Sequence, residues 1–106
     1  MNKDSISYNE DIYIGIKQLS EYLIGSTFIS LDDDYTYLSR DNKETTLYYS
    51  NNKLIKSPGY EVLIFNIDSV NFERCDDLIY INIKRNEDNY RFMISYIQEK
   101  VTNDEE

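Results

Sequence analysis

The first regular pattern along the chain is a stripe of apolar residues at helical spacing. Its four members, at positions i, i+4, i+7 and i+11, are Ile12, Ile16, Leu19 and Leu23. Residues at these spacings share one face of a helix, and Gly25 follows where a left-handed C-cap is expected. The pattern predicts an amphipathic helix over residues 8–24. A competing interpretation takes residues 13–16 as a short strand.

After Gly25 the period of the pattern changes to two, which is typical of strands. The predicted strands are, in chain order, residues 27–31, 35–39, 45–50, 53–56, 61–67, 70–73 and 78–84. Residues 70–73 either extend the preceding strand past a bulge or form a strand of their own. The turn at Asn51 and Asn52 has two residues that tolerate positive φ, which a two-residue hairpin requires.

The segment from Tyr90 onward fits two patterns. The residues that alternate as in a strand are Tyr90, Phe92, Ile94 and Tyr96. The residues that form a helical stripe are Tyr90, Met93, Ile94, Ile97 and Val101. We expect a strand that begins near Tyr90 and turns into a short helix reaching about Lys100. Residues 1–7 and 102–106 are expected to fray.

These elements predict one α+β domain spanning residues 1–106. Its N-terminal helix packs on an antiparallel, meander-like sheet of five or six strands, with a short C-terminal helix as an addition. One helix cannot cover both faces of such a sheet, so we expect the second face to be partly exposed.

The composition excludes several kinds of chemistry. The chain has no His, one Cys and three Gly. Without His there is no Ser-His-Asp or Cys-His catalysis, and one Cys cannot build a thiolate zinc site. Three scattered glycines do not form a phosphate-binding loop. We therefore expect no catalytic residues, no metal site and no cofactor.

The chain is strongly acidic, with 20 acidic and 11 basic residues and a net charge of −9. The acidic clusters at predicted turns are Asp32, Asp33 and Asp34, then Asp76 and Asp77, then Glu87 and Asp88. One explanation is that polar turns keep the protein soluble. The other is that the clusters converge on one face and imitate the phosphates of a nucleic acid. Tyr35 and Tyr37 share one face of their strand, and because Tyr is enriched at protein interfaces they complete the predicted partner-binding set.

In size, acidity and helix-plus-sheet pattern the chain resembles the small acidic inhibitors that phages direct against host nucleic-acid enzymes. That class includes anti-CRISPR, anti-restriction and uracil-glycosylase-inhibitor proteins. The resemblance implies a non-enzymatic inhibitor whose carboxylate-rich surface occupies the channel of a basic nucleic-acid-binding enzyme. The alternatives are an immunity protein or acidic regulatory partner of a toxin or enzyme, and a small-ligand-binding domain.

Location and partners follow from the same features. The polar N-terminus shows no secretory signal, and no run approaches the roughly 20 apolar residues of a membrane span. We therefore expect a cytoplasmic location in a bacterial host cell and a protein partner. We expect no membrane contact and no direct binding to nucleic acid, since the net charge repels phosphates. The oligomeric state stays open.

Overall fold

The computed structural model describes residues 3–97, and their side chains from residue 9 onward. The elements in chain order are α1 (Lys3–Leu23), β1 (Thr27–Leu31), β2 (Tyr35–Leu38), β3 (Glu44–Ser50), β4 (Lys53–Ser57), β5 (Glu61–Ile64), β6 (Ser69–Cys75), β7 (Leu78–Arg85) and β8 (Asp88–Tyr96). The predicted α+β class, with an N-terminal helix packed on antiparallel sheet, is confirmed. The helix begins at Lys3, five residues before the predicted start, so residues 3–7 are helical. The predicted fraying at 102–106 lies outside the described residues.

The strands form two antiparallel sheets, where a single sheet of five or six strands was expected. The first sheet has the order β1-β2-β3-β4-β5, and the second has the order β6-β7-β8, so each is a meander. The division falls at residues 65–68, where Asn66 has a φ of 58°. The predicted strand over 61–67 therefore ends at Ile64, and the segment 70–73 belongs to a separate strand, β6.

The C-terminal part of the described chain is a strand. β8 pairs with β7 from Asp88 to Tyr96, with one register shift opposite Ile79 and Tyr80. In this pairing the backbone N–H and C=O groups of β8 form hydrogen bonds with β7, whereas in a helix they would form them within the segment. The expected transition to a helix does not occur before residue 97, and residues 98–100 lie outside the described part of the chain.

The hydrophobic core lies between α1 and the two sheets. All four residues of the predicted helical stripe are buried, with exposed fractions between 0% and 7%. Gly15, which directly precedes Ile16 in the same helix, packs on β5. A Cβ at this position would collide with Ile64 Cγ1 and would lie 2.7 Å from the carbonyl oxygen of Leu63. The absence of a side chain thus sets the close approach of helix and sheet.

An ion pair between a buried arginine and a half-exposed aspartate joins α1 to the second sheet. Arg85 is 3% exposed, and it donates from Nη1 and Nη2 to the two carboxylate oxygens of Asp11 at 2.9 and 2.8 Å. It also donates to the carbonyl oxygens of Phe65 and Asn66, at 2.8 and 3.1 Å. These hydrogen bonds fix the segment 65–68, which connects the two sheets, against the helix. Arg85 is buried because the alternation of β7 places it on the face that holds Ile83.

Candidate interaction surface

The predicted acidic clusters lie at three different turns and are exposed. Asp32–Asp34 connect β1 to β2, Asp76 and Asp77 connect β6 to β7, and Glu87 and Asp88 lie at the turn between β7 and β8. The last two clusters are at opposite ends of β7, whose eight residues span about 26 Å. The length of the strand therefore separates these two clusters.

The first two clusters are also apart. Arg74 forms an ion pair with Asp77 at 3.9 Å, and its guanidinium lies 5.6 Å from the ring centroid of Phe28. Phe28 is near the start of β1, whereas Asp32 follows the end of that strand. The convergence of the acidic clusters on one surface stays a prediction.

Tyr35 and Tyr37 do not form part of an exposed surface, since each is only 1% exposed. The ring of Tyr35 packs against Tyr37 at 5.7 Å, Phe72 at 5.8 Å and Phe28 at 6.0 Å between centroids. Burial raises the pKa of Tyr35, and burial together with the neighbouring Tyr35 raises the pKa of Tyr37 to about 12. Their expected role in partner binding is corrected to core packing, because the face of β2 that carries them is covered.

A cleft in the described structure lies between the C-terminal half of α1, the start of β1 and the end of β8. We call it the α1–β8 groove, and its volume is about 990 Å³. Buried Leu23, Tyr35 and Ile94 form its base. Its rim carries three large apolar side chains that are mostly solvent-exposed: Ile24 at 61%, Met93 at 52% and Tyr96 at 62%. Concave apolar surface of this kind is typical of a binding site.

The exposed face of α1 continues the groove toward the N-terminal end of the helix. Lys17 and Glu21 line the groove, and Tyr13 lies one turn before Lys17 on the same side. The ring of Tyr13 is 53% exposed and packs edge-on against Phe92 of β8 at 5.5 Å and against Tyr90 at 6.4 Å. Aromatic side chains therefore connect the helix and β8 beside the groove.

Sequence reasoning missed this surface, although a signal was present. Tyr13 and Ile24 are apolar residues inside or next to the helix that do not belong to its buried stripe. Such residues are candidates for a contact outside the core. Met93 and Tyr96 could not be assigned to a face without knowing that their segment is a strand.

Among the side chains of residues 9–97, no group of three or more Cys, Asp or Glu is placed to hold a metal ion. The single thiol, Cys75, is exposed at the end of β6.

No helix within the described range combines the length and apolar character needed to cross a membrane.

The fold and the groove define a small α+β domain with a concave apolar surface. Residues 2–91 match the model of a protein family described as "Putative Competence protein ComGF". This match covers most of the chain, which therefore belongs to the ComGF family. No curated protein and no solved structure gives a significant match.

Family membership corrects two expectations from the sequence. The interpretation as a phage inhibitor of the anti-CRISPR or anti-restriction class is wrong, because the family is one of competence proteins. Neither the immunity-protein nor the ligand-binding alternative matches the family. The expected cytoplasmic location is also wrong, because ComGF competence proteins are membrane-associated pseudopilus components.

Proposed function

We propose that this chain is a non-enzymatic structural subunit of a competence pseudopilus. In this role it contacts a neighbouring subunit through the α1–β8 groove. The observation that carries the proposal is the family match over residues 2–91. Pseudopilus subunits act by assembling, so such a protein needs an exposed binding surface and no catalytic machinery.

The exposed side chains of the groove support an assembly role. Ile24, Met93 and Tyr96 each leave more than half of their surface in contact with water in the isolated chain. Covering them with a partner's apolar side chains is favourable by about 25 cal/mol for each Å² removed from water. The partner surface that fits the groove is therefore an apolar ridge, such as one face of a helix or the side chains of a strand.

The negative net charge favours a structural role in the pseudopilus over a role as a DNA receptor. Competence concerns the uptake of DNA, yet the chain carries a net charge of −9. Nearly all non-specific DNA affinity comes from cationic side chains that neutralise phosphates. The absence of direct nucleic-acid binding thus remains part of the proposal, and a protein subunit is the proposed partner.

The first experiment is genetic and uses the full gene in the competent bacterium that encodes the chain. Ile24→Lys and Tyr96→Lys place a charge on the groove rim without touching the core. We expect each to weaken the subunit contact by roughly tenfold or more, which corresponds to about 1.4 kcal/mol, and thereby to reduce transformation frequency. Ile29→Lys is the matched control, because Ile29 is 44% exposed on β1 and does not line the groove.

The second experiment identifies the contact. A photo-crosslinking amino acid at position 96 should capture another pseudopilus subunit in whole cells, and the same amino acid at position 29 should not. A different outcome would place the contact on another surface: transformation is lost in the full deletion, but the two lysine variants transform normally and the crosslinker at position 96 captures no subunit. Normal transformation in the deletion strain would overturn the proposed function itself.

A further inference from the structure

A second, smaller cleft concentrates positive charge in this acidic protein. It has a volume of about 380 Å³ and lies between α1, the turn that joins β2 to β3 and the turn that joins β4 to β5. Arg40, Lys43 and Lys56 line it, with Asp41 as the opposing charge. The charge of this lining is therefore 3 − 1 = +2, whereas the whole chain carries −9.

Two of the three cationic side chains at this cleft have no ion pair or side-chain hydrogen bond within the described side chains. Lys56 forms an ion pair with Glu61 at 3.7 Å and lies 4.7 Å from the ring centroid of Tyr22. In contrast, neither the guanidinium of Arg40 nor the ammonium of Lys43 forms an ion pair or hydrogen bond with any residue in the range 9–97. Two cations thus face the cleft beside a third that is already neutralised.

Local contacts fix the stem of Arg40 and the backbone of the turn that carries Lys43. The stem of Arg40 lies against Gly25 at the end of α1, where a Cβ on the glycine would be 2.7 Å from Arg40 Cγ. Ser39 Oγ accepts hydrogen bonds from the backbone N–H groups of Asp41 and Lys43, both at 3.2 Å. With its acceptor sites occupied, the Ser39 hydroxyl has its own hydrogen available to donate at the cleft.

We propose that this cleft binds a single carboxylate group through Arg40, Lys43 and Ser39. The guanidinium fork of arginine matches a carboxylate in a bidentate manner, and a lysine and a hydroxyl supply further donors. A carboxylate fits better than a phosphate or a nucleic acid. Asp41 and the overall charge of −9 repel a dianion or a polyanion more strongly than a single negative charge.

The inference does not depend on the pseudopilus role and can be tested on the isolated chain. The probe is sodium acetate, titrated against sodium chloride at constant ionic strength while backbone amide shifts are followed by NMR. We expect saturable shifts at residues 39–43, with an affinity on the order of millimolar. The double variant R40Q/K43Q should weaken acetate binding roughly tenfold or more.

The matched control is K53Q/K84Q, which also removes two positive charges, but at positions outside the cleft. It should leave the acetate shifts unchanged. Linear, non-saturating shifts, or equal shifts in R40Q/K43Q and the parent, would overturn the proposal. Two further arms use inorganic phosphate and a short single-stranded DNA. If either of them binds at residues 39–43 with higher affinity than acetate, the assignment to a carboxylate is overturned.

Discussion

Asp11 and Arg85, 74 residues apart in the sequence, meet in a bidentate ion pair at 2.8 and 2.9 Å. The pair is asymmetric, because the Arg85 side chain is 3% exposed and the Asp11 side chain is 50% exposed. The carboxylate and two backbone carbonyl groups contribute to compensating the charge of the buried guanidinium.

Asp11→Asn should lower the free energy of unfolding by about 1–3 kcal/mol, because it removes the charge that compensates a buried guanidinium. The half-exposed carboxylate keeps the effect below that of a fully buried pair. Urea denaturation of parent and variant measures the difference. Asp33→Asn is the control, since Asp33 is exposed at the β1–β2 turn. Equal losses in the two variants would mean that the ion pair contributes nothing specific.

The same pair makes stability depend on acid. The hydrogen bond from Arg85, reinforced by its charge, lowers the pKa of Asp11 below its usual value despite partial burial. The folded protein therefore holds fewer protons at this site than the unfolded chain, whose pKa is about 3.9. The stability difference between parent and Asp11→Asn should be constant above about pH 5 and shrink as the pH falls through the folded pKa. A difference that grows on acidification would contradict this sign.

Gly15→Ala should destabilise the protein even though alanine favours helices. The gain in helix propensity is about 1 kcal/mol, whereas forcing a methyl group against Ile64 and the Leu63 carbonyl costs about 1–3 kcal/mol or more. Thermal and urea unfolding measure the balance. Lys17→Ala, on the exposed side of the same helix, should change stability by less than about 0.5 kcal/mol. A more stable Gly15→Ala variant would mean that helix and sheet separate at little cost.

Tyr37 should make the protein sensitive to alkali. Burial first, and then the nearby Tyr35, Tyr22 and Glu61, raise the pKa of Tyr37 to about 12. Its stabilising effect is therefore present below the unfolded pKa of about 10 and is lost as the pH rises toward 12. Unfolding free energies measured between about pH 9 and 11.5 should fall less steeply in Tyr37→Phe than in the parent. Tyr48→Phe, at a half-buried position on β3, is the control.

The isolated chain should not bind DNA or RNA at physiological salt, because its net charge of −9 opposes phosphate attraction. Fluorescence anisotropy with labelled duplex and single-stranded DNA tests this directly. Micromolar affinity would contradict the proposed supporting role and would favour direct contact with the transported DNA.

Much of the fold could be predicted because local patterns determine it. The stripe from Ile12 to Leu23 requires a helix, and Asn51 and Asn52 adopt φ values of 53° and 63°, as the two-residue turn requires. The division into two sheets could not be predicted. Alternation shows that a segment is a strand, but it does not show which strand pairs with which.

The site was harder to predict than the fold. Tyr35 and Tyr37 have the composition of an interface, and only three-dimensional packing shows that their rings are covered. The reverse holds for Ile24, an aliphatic residue of a type common in cores, which is 61% exposed. Hydrophobic character alone does not distinguish a core residue from a contact residue until its neighbours are known.

The hydrogen bond from Tyr90 to Asn9 at 2.7 Å has a consequence for synthesis of the chain. The two residues are 81 positions apart. At roughly 5–20 residues per second, a ribosome needs about 4–16 s to make the chain between them. Throughout that interval the apolar stripe of the newly made helix has no second sheet to cover it. The helix thus leaves the ribosome before the strands of both sheets and is among the last of these elements to reach its final contacts.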